Sequence, residues 1–236
     1  MAGEKGGSGT TIVYGSQYEK PKSIIDAIAE LEQYSAVLGD EEIPEQFFTF
    51  KQKLEFFSVG FRDALVSGFV SALFTPITFG VIEKLIPIFG NTSPTFFDKV
   101  FAFCLTLGFS LGYAVLIAVV LAKHYYSNKI VKSAAQNFLT GLYMGKILAV
   151  FVIFLAFHFL YFFITPERVA YVLNKFLENS AVKVKAYVWI LQFKEVFIAS
   201  AYFVAFTGVL FIIIPTFAIL YYRFKVRRYL KNIEDL

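Results

Sequence analysis

The chain has 236 residues, of which 57% are apolar and only 17% charged, and it carries 30 Phe and 14 Tyr. A soluble domain of this size runs nearer a quarter charged, so the composition points away from a soluble globular protein. A formal net charge of +4 calls for no nucleic-acid partner, and the single Cys104 excludes both an intramolecular disulfide and a thiolate metal cluster.

Met1–Lys22 is rich in Gly, Ser and Thr, reads as a flexible tail, and lacks the apolar core of a cleavable leader. Its Lys5-Gly6-Gly7-Ser8-Gly9-Thr10-Thr11 echoes a phosphate-binding loop, but no lysine stands before a hydroxyl residue there and no apolar strand precedes it. Ser23–Leu38 is an expected amphipathic helix: Ile24, Ile25, Ile28 and Leu31 recur at helical spacing, with Asp26, Glu30 and Glu32 opposite. After Asp40-Glu41-Glu42, Pro44 opens a second segment, Glu45–Phe57, whose Phe47, Phe48, Phe50, Phe56 and Phe57 suit a helix lying on lipid headgroups. The acidic first helix suits a protein partner better, because anionic lipid would repel it.

Four spans are predicted, at about 64–82, 100–122, 147–164 and 196–222. The third is the plainest: the eighteen residues Ile147–Ile164 hold one polar side chain, His158. As a helix they would reach ~27 Å, close to the thickness of a bilayer's hydrocarbon core. The first span lines one side with Ala64, Ser67, Gly68, Ser71, Ala72 and Thr75, small residues that let helices approach closely in lipid. Pro76 is expected to kink it. The second carries Gly108-x-x-x-Gly112 with Cys104 one step earlier, a candidate seam for pairing with the first span. The fourth adds Ala201, Ala205 and Gly208, with Pro215 as a second kink.

Between spans, Asn91-Thr92-Ser93 matches a glycosylation acceptor, and Lys123–Lys146 reads as a short amphipathic surface helix. Thr165-Pro166-Glu167 is a helix start: hydroxyl cap, proline at the first position, carboxylate in the first turn. Tyr187–Phe193 is too short to cross a bilayer and is expected at headgroup level through Tyr187 and Trp189.

The expected architecture is therefore an all-α integral membrane protein with four transmembrane helices, short amphipathic surface helices and a cytoplasmic N-terminal arm. Its divisions are a tail at 1–22, an arm at 23–61, the membrane domain at 62–222 and a basic tail at 223–236. Lys and Arg number six before the first span, four between the second and third, and five after the fourth, against two and five on the other side. That bias places both termini in the cytoplasm, in a cell or inner membrane.

Chemistry is sparse. No paired carboxylates stand within a span and no hydrolase or metalloprotease motif occurs, so no catalytic residue, cofactor or metal is expected. His158 is the one candidate intramembrane polar site, expected to face the bundle and bond Ser110, Thr207 or Tyr113. The expectation is a non-enzymatic subunit or assembly component of a larger membrane complex, binding the bilayer and, through residues 23–57, other proteins. The alternative is a small channel or transporter using His158 and the small-residue seam.

Overall fold

The computed structural model describes residues 50–80, 95–124 and 129–234. The expectations for the tail, the acidic helix, residues 45–49 and Asn91-Thr92-Ser93 lie outside the described residues. Five helices follow in order: α1 (Phe50–Gly80), α2 (Phe96–His124), α3 (Lys129–Phe163), α4 (Pro166–Phe176) and α5 (Ser180–Glu234). Four of them, all but α4, are long and apolar enough to cross a membrane.

The helices exceed the predicted spans because polar flanks continue the same helix instead of starting a new one. Residues 50–57, expected to be interfacial, run without a break into the first span. The surface helix expected before Ile147 is the N-terminal half of the 35-residue α3. Tyr187–Phe193 and the basic tail both belong to α5, 55 residues long and so about 82 Å from end to end. Pro76 and Pro215 are buried inside continuous helices. Around Pro76 the hydroxyls of Ser71, Thr75 and Thr78 donate to the carbonyls of Ser67, Ser71 and Phe74 at 2.9, 2.6 and 2.8 Å, keeping polar groups of this stretch satisfied inside the helix.

Helix starts are chemically explicit. Asp98 accepts from the Thr95 amide at 2.9 Å and hydroxyl at 2.6 Å, while the Asp98 amide donates back to Thr95 Oγ1 at 3.3 Å. This reciprocal box begins α2 four residues before the expected boundary. Thr165 caps α4, accepting from the Arg168 amide, with Pro166 in the first turn. Val169 and Leu173 are the buried side of that short helix, which packs on α5. Asn179 Oδ1 accepts from the Ala181 amide at 3.0 Å at the start of α5.

The most extensive helix contact is the parallel pair α1–α3. Both carry the spacing Phe-x-x-Gly-x-x-x-small-x-x-x-small: Phe57, Gly60, Ala64, Gly68 and Phe138, Gly141, Gly145, Ala149. The contact is reciprocal. Gly60 lies against the Phe138 carbonyl and Gly141 against that of Phe57. A methyl on Gly145 would come to 2.5 Å from the Phe61 carbonyl oxygen, and one on Gly68 to 2.5 Å from the Ala149 Cβ. In lipid, where burial of apolar surface gives no drive for association, such backbone approach is what holds two helices together.

Many large apolar side chains point away from the bundle while many hydroxyls point in. Phe97, Phe159, Phe162 and Phe217 are exposed, whereas Ser71, Thr75, Thr78, Thr106, Ser110, Ser200 and Thr207 are buried. Water would penalise so much exposed aromatic surface. This inverted polarity, with four apolar helices, supports a multi-pass membrane protein.

Candidate functional site

Lys146 follows Gly145 directly, so the α1–α3 seam carries it into the bundle. Only 1% of its surface is exposed. Its ammonium donates to Ser67 Oγ at 3.5 Å and lies 4.4 Å from the centre of the Phe211 ring on α5. Among the described residues no carboxylate lies within ion-pair distance of it. A charge so placed is costly in a bilayer unless snorkelling or water relieves it, and Lys146 is enclosed on the protein side. Lys146, expected as the end of a surface helix before the third span, is instead an interior residue beside the closely packed Gly145.

Polar groups continue on both sides of Lys146. Toward the end where α1 begins and α5 finishes, Tyr113 donates its hydroxyl to Asp63 at 2.7 Å, and Asp63 pairs with Arg62 at 3.2 Å. The Tyr113 ring in turn stacks 6.3 Å from Phe211. Toward the opposite end, the hydroxyls of Thr78 on α1 and Thr106 on α2 bond at 2.7 Å, both buried. The hydroxyls of Ser110 and Ser200 are buried without a partner among the described residues. Pro215 adds to the polarity, since a proline gives no amide to the carbonyl four residues earlier, that of Phe211.

His158 is placed elsewhere. Its Nδ1 lies 2.8 Å from the Phe154 carbonyl oxygen of its own helix, and its ring packs 4.1 Å from Phe154 and 5.9 Å from Tyr202. The expected bonds to Ser110, Thr207 or Tyr113 do not form. The ring is half-buried at the α3–α5 boundary, outside the polar interior.

Of the expected packing residues, Gly68 meets Ala149, Ala72 packs against a core of Ala149, Ile153, Phe157, Ala201 and Val204, and Ala201 is fully buried in it. Ala205 is half-buried. Gly208 packs against Val150, where an added methyl would come to 2.5 Å. Gly108 and Gly112 differ: both are exposed, with nothing within 4 Å of an added methyl, and Cys104 is exposed on the same stripe. The expected α1–α2 seam is thus not made by these glycines. The glycines that do make the tightest seam, Gly141 and Gly145, have the same G-x-x-x-G spacing but stand in the stretch expected to be a surface helix.

Among the described residues no group of three or more His, Cys, Asp or Glu is placed to hold a metal ion. Compared with known proteins, the chain matches no family model, no curated protein and no solved structure.

Proposed function

We propose that this chain is a non-enzymatic multi-pass membrane protein that works as a subunit of a larger membrane assembly, with both termini cytoplasmic. The observation that carries the reading is the outer face of α2. Cys104, Gly108 and Gly112 form a small-residue stripe directed away from the rest of the bundle, with open space beside both glycines. Such a stripe lets a second transmembrane helix approach closely. The inner seam is already complete without it. The orientation rests on the Lys and Arg bias, which keeps fourteen of its fifteen residues once interior Lys146 is set aside. The acidic segment at 23–38 offers a further contact for cytoplasmic proteins. The test is purification in mild detergent from native membranes, with Cys104 as the cross-linking handle. A defined partner cross-linked through Cys104 and lost on Gly112→Ile supports the reading. A monomer that cross-links to nothing refutes it.

A second reading, solute translocation, gains support from one observation: the buried ammonium of Lys146, bonded to Ser67, in a bundle that buries several further hydroxyls. It shifts the carrying residue of the transport alternative from His158 to Lys146. Flux in proteoliposomes that falls at least about tenfold on Lys146→Met and survives His158→Phe would establish it. Absence of flux in folded protein would remove it.

A further inference from the structure

A groove of about 1020 Å³ lies between the N-terminal half of α3 and the C-terminal half of α5. Its polarity changes along its length. The inner end is bounded by Tyr143 and Thr216, whose hydroxyls bond at 3.0 Å. The floor there is apolar, with Leu139 and Ile219 both buried. The outer end carries three cations, Lys132 on α3 facing Arg223 and Arg227 one turn apart on α5. No carboxylate lines the groove, and none of the three cations forms an ion pair among the described residues. Asn137 and Thr140 each donate to a carbonyl of their own helix, those of Ser133 and Gln136.

We propose that this groove binds the phosphate headgroup of an anionic phospholipid. Three unpaired cations converge on one opening, and guanidinium groups bind phosphate oxygens through paired N–H donors. A free phosphate would need only the outer end. The apolar strip of Leu139, Ile219 and Leu220 behind the cations assigns the rest of the groove to an acyl chain, and Thr216 to Arg227 covers about 16 Å along α5. The apolar block of α5 ends at Tyr222, so the cations begin where a headgroup lies when the four helices span a bilayer, the one reading this inference rests on. Leu220, 53% exposed beside the groove, continues the apolar surface outward for the tail.

The test uses the full chain in detergent, titrated with phosphatidylglycerol and, separately, phosphatidylcholine, and read by native mass spectrometry. One phosphatidylglycerol per chain should be retained and phosphatidylcholine lost. The combined Lys132→Gln, Arg223→Gln, Arg227→Gln variant should bind phosphatidylglycerol about a hundredfold more weakly, three cations at roughly a factor of five each. Lys225→Gln with Arg228→Gln, on the same helix but off the groove, should leave affinity unchanged. An equal loss from that control pair would mean diffuse charge attraction and overturn the site. Inorganic phosphate that displaces the lipid at similar concentration would make the site one for soluble phosphate and overturn the lipid assignment. Phosphatidylglycerol that binds only after residues 1–45 are deleted would name the acidic segment as the occupant and also overturn it. If the triple variant fails to fold, Arg223→Gln against the charge-keeping Arg223→Lys decides: equal affinity of the two refutes a guanidinium-specific site and any charge role at that position.

Discussion

The reciprocal α1–α3 seam makes a sharp demand on one atom. Gly141→Ala adds only a methyl, and that methyl falls on the Phe57 carbonyl, a backbone group of a facing helix that cannot rotate aside. Overpacking of a well-packed contact costs about 1–3 kcal/mol, with the upper part of that range expected where the obstacle is backbone. Against this, alanine is favoured over glycine inside a helix by roughly 1 kcal/mol. Gly108→Ala isolates that gain, since an added methyl there has nothing within 4 Å. The helix gain is common to both variants and cancels between them, so they should lie about 2–3 kcal/mol apart, with Gly141→Ala less stable than the parent and Gly108→Ala equal to it or slightly more stable. The assay is unfolding in mild detergent followed by circular dichroism, with the parent measured alongside. Gly141→Ala as stable as Gly108→Ala would refute the backbone contact, and with it the account of why Lys146 is interior.

Three further outcomes follow from the described contacts. In a double-mutant cycle, Thr78→Val and Thr106→Val should couple by about 0.6 kcal/mol and no more than roughly 1.7, as for other interhelical hydrogen bonds in membranes, and additive effects would deny the bond. Lys146→Met should leave stability unchanged or raise it, because an apolar chain of similar length removes a buried charge that no carboxylate offsets; a fall of more than about 2 kcal/mol would assign Lys146 a purely structural bond. Thr165→Ala should loosen α4 by about 1 kcal/mol, read as faster amide exchange confined to Pro166–Phe176. Glu167 adds a pH dependence to the same helix. Its carboxyl is held below the usual 4.5 by its own backbone amide and then by Thr165, so its support is present above that value and fades as pH falls below it. Protection factors in α4, taken relative to the slower intrinsic exchange at low pH, that did not fall on acidification would contradict this.

Most of the helical architecture was legible because apolar blocks of span length and the Thr165-Pro166-Glu167 start follow from local chemistry. Boundaries were not, for a definite reason. Lys129, Lys132 and Lys146 look like the flanks of a surface helix, yet a helix ends only where its hydrogen-bond ladder is broken or capped, and nothing in 129–163 does either. The site was missed by the same reasoning. Composition gives Lys146 to the aqueous side, whereas its neighbours Gly145 and Ala149 turn its side of the helix toward α1. The signal was present in the sequence as a repeat, Phe-x-x-Gly-x-x-x-small-x-x-x-small, recurring 81 residues apart from Phe57 to Phe138 and from Gly60 to Gly141. Gly108 and Gly112 drew the eye instead because they lie in an unbroken apolar block, and the motif alone does not say which side of the helix meets a neighbour.

Two features cost stability without repayment from the described contacts. A glycine in a helix gives up roughly 1 kcal/mol relative to alanine, and Gly108 and Gly112 gain no close packing for it. An enclosed ammonium gives up more, and Lys146 gains one long hydrogen bond and a ring. Gly60, Gly141 and Gly145 show what the chain does with glycine where a helix comes close: it brings backbone to backbone. By that standard the outer pair on α2 leaves room for a close-packed helix that is not among the described residues, as the proposed assembly reading requires. Lys146 differs in kind, because its surroundings are already filled by Ser67 and Phe211, leaving no room for a partner's carboxylate. On the two proposed readings association would use the outside of this bundle and translocation its inside, so Gly112→Ile and Lys146→Met separate the two without touching a common contact.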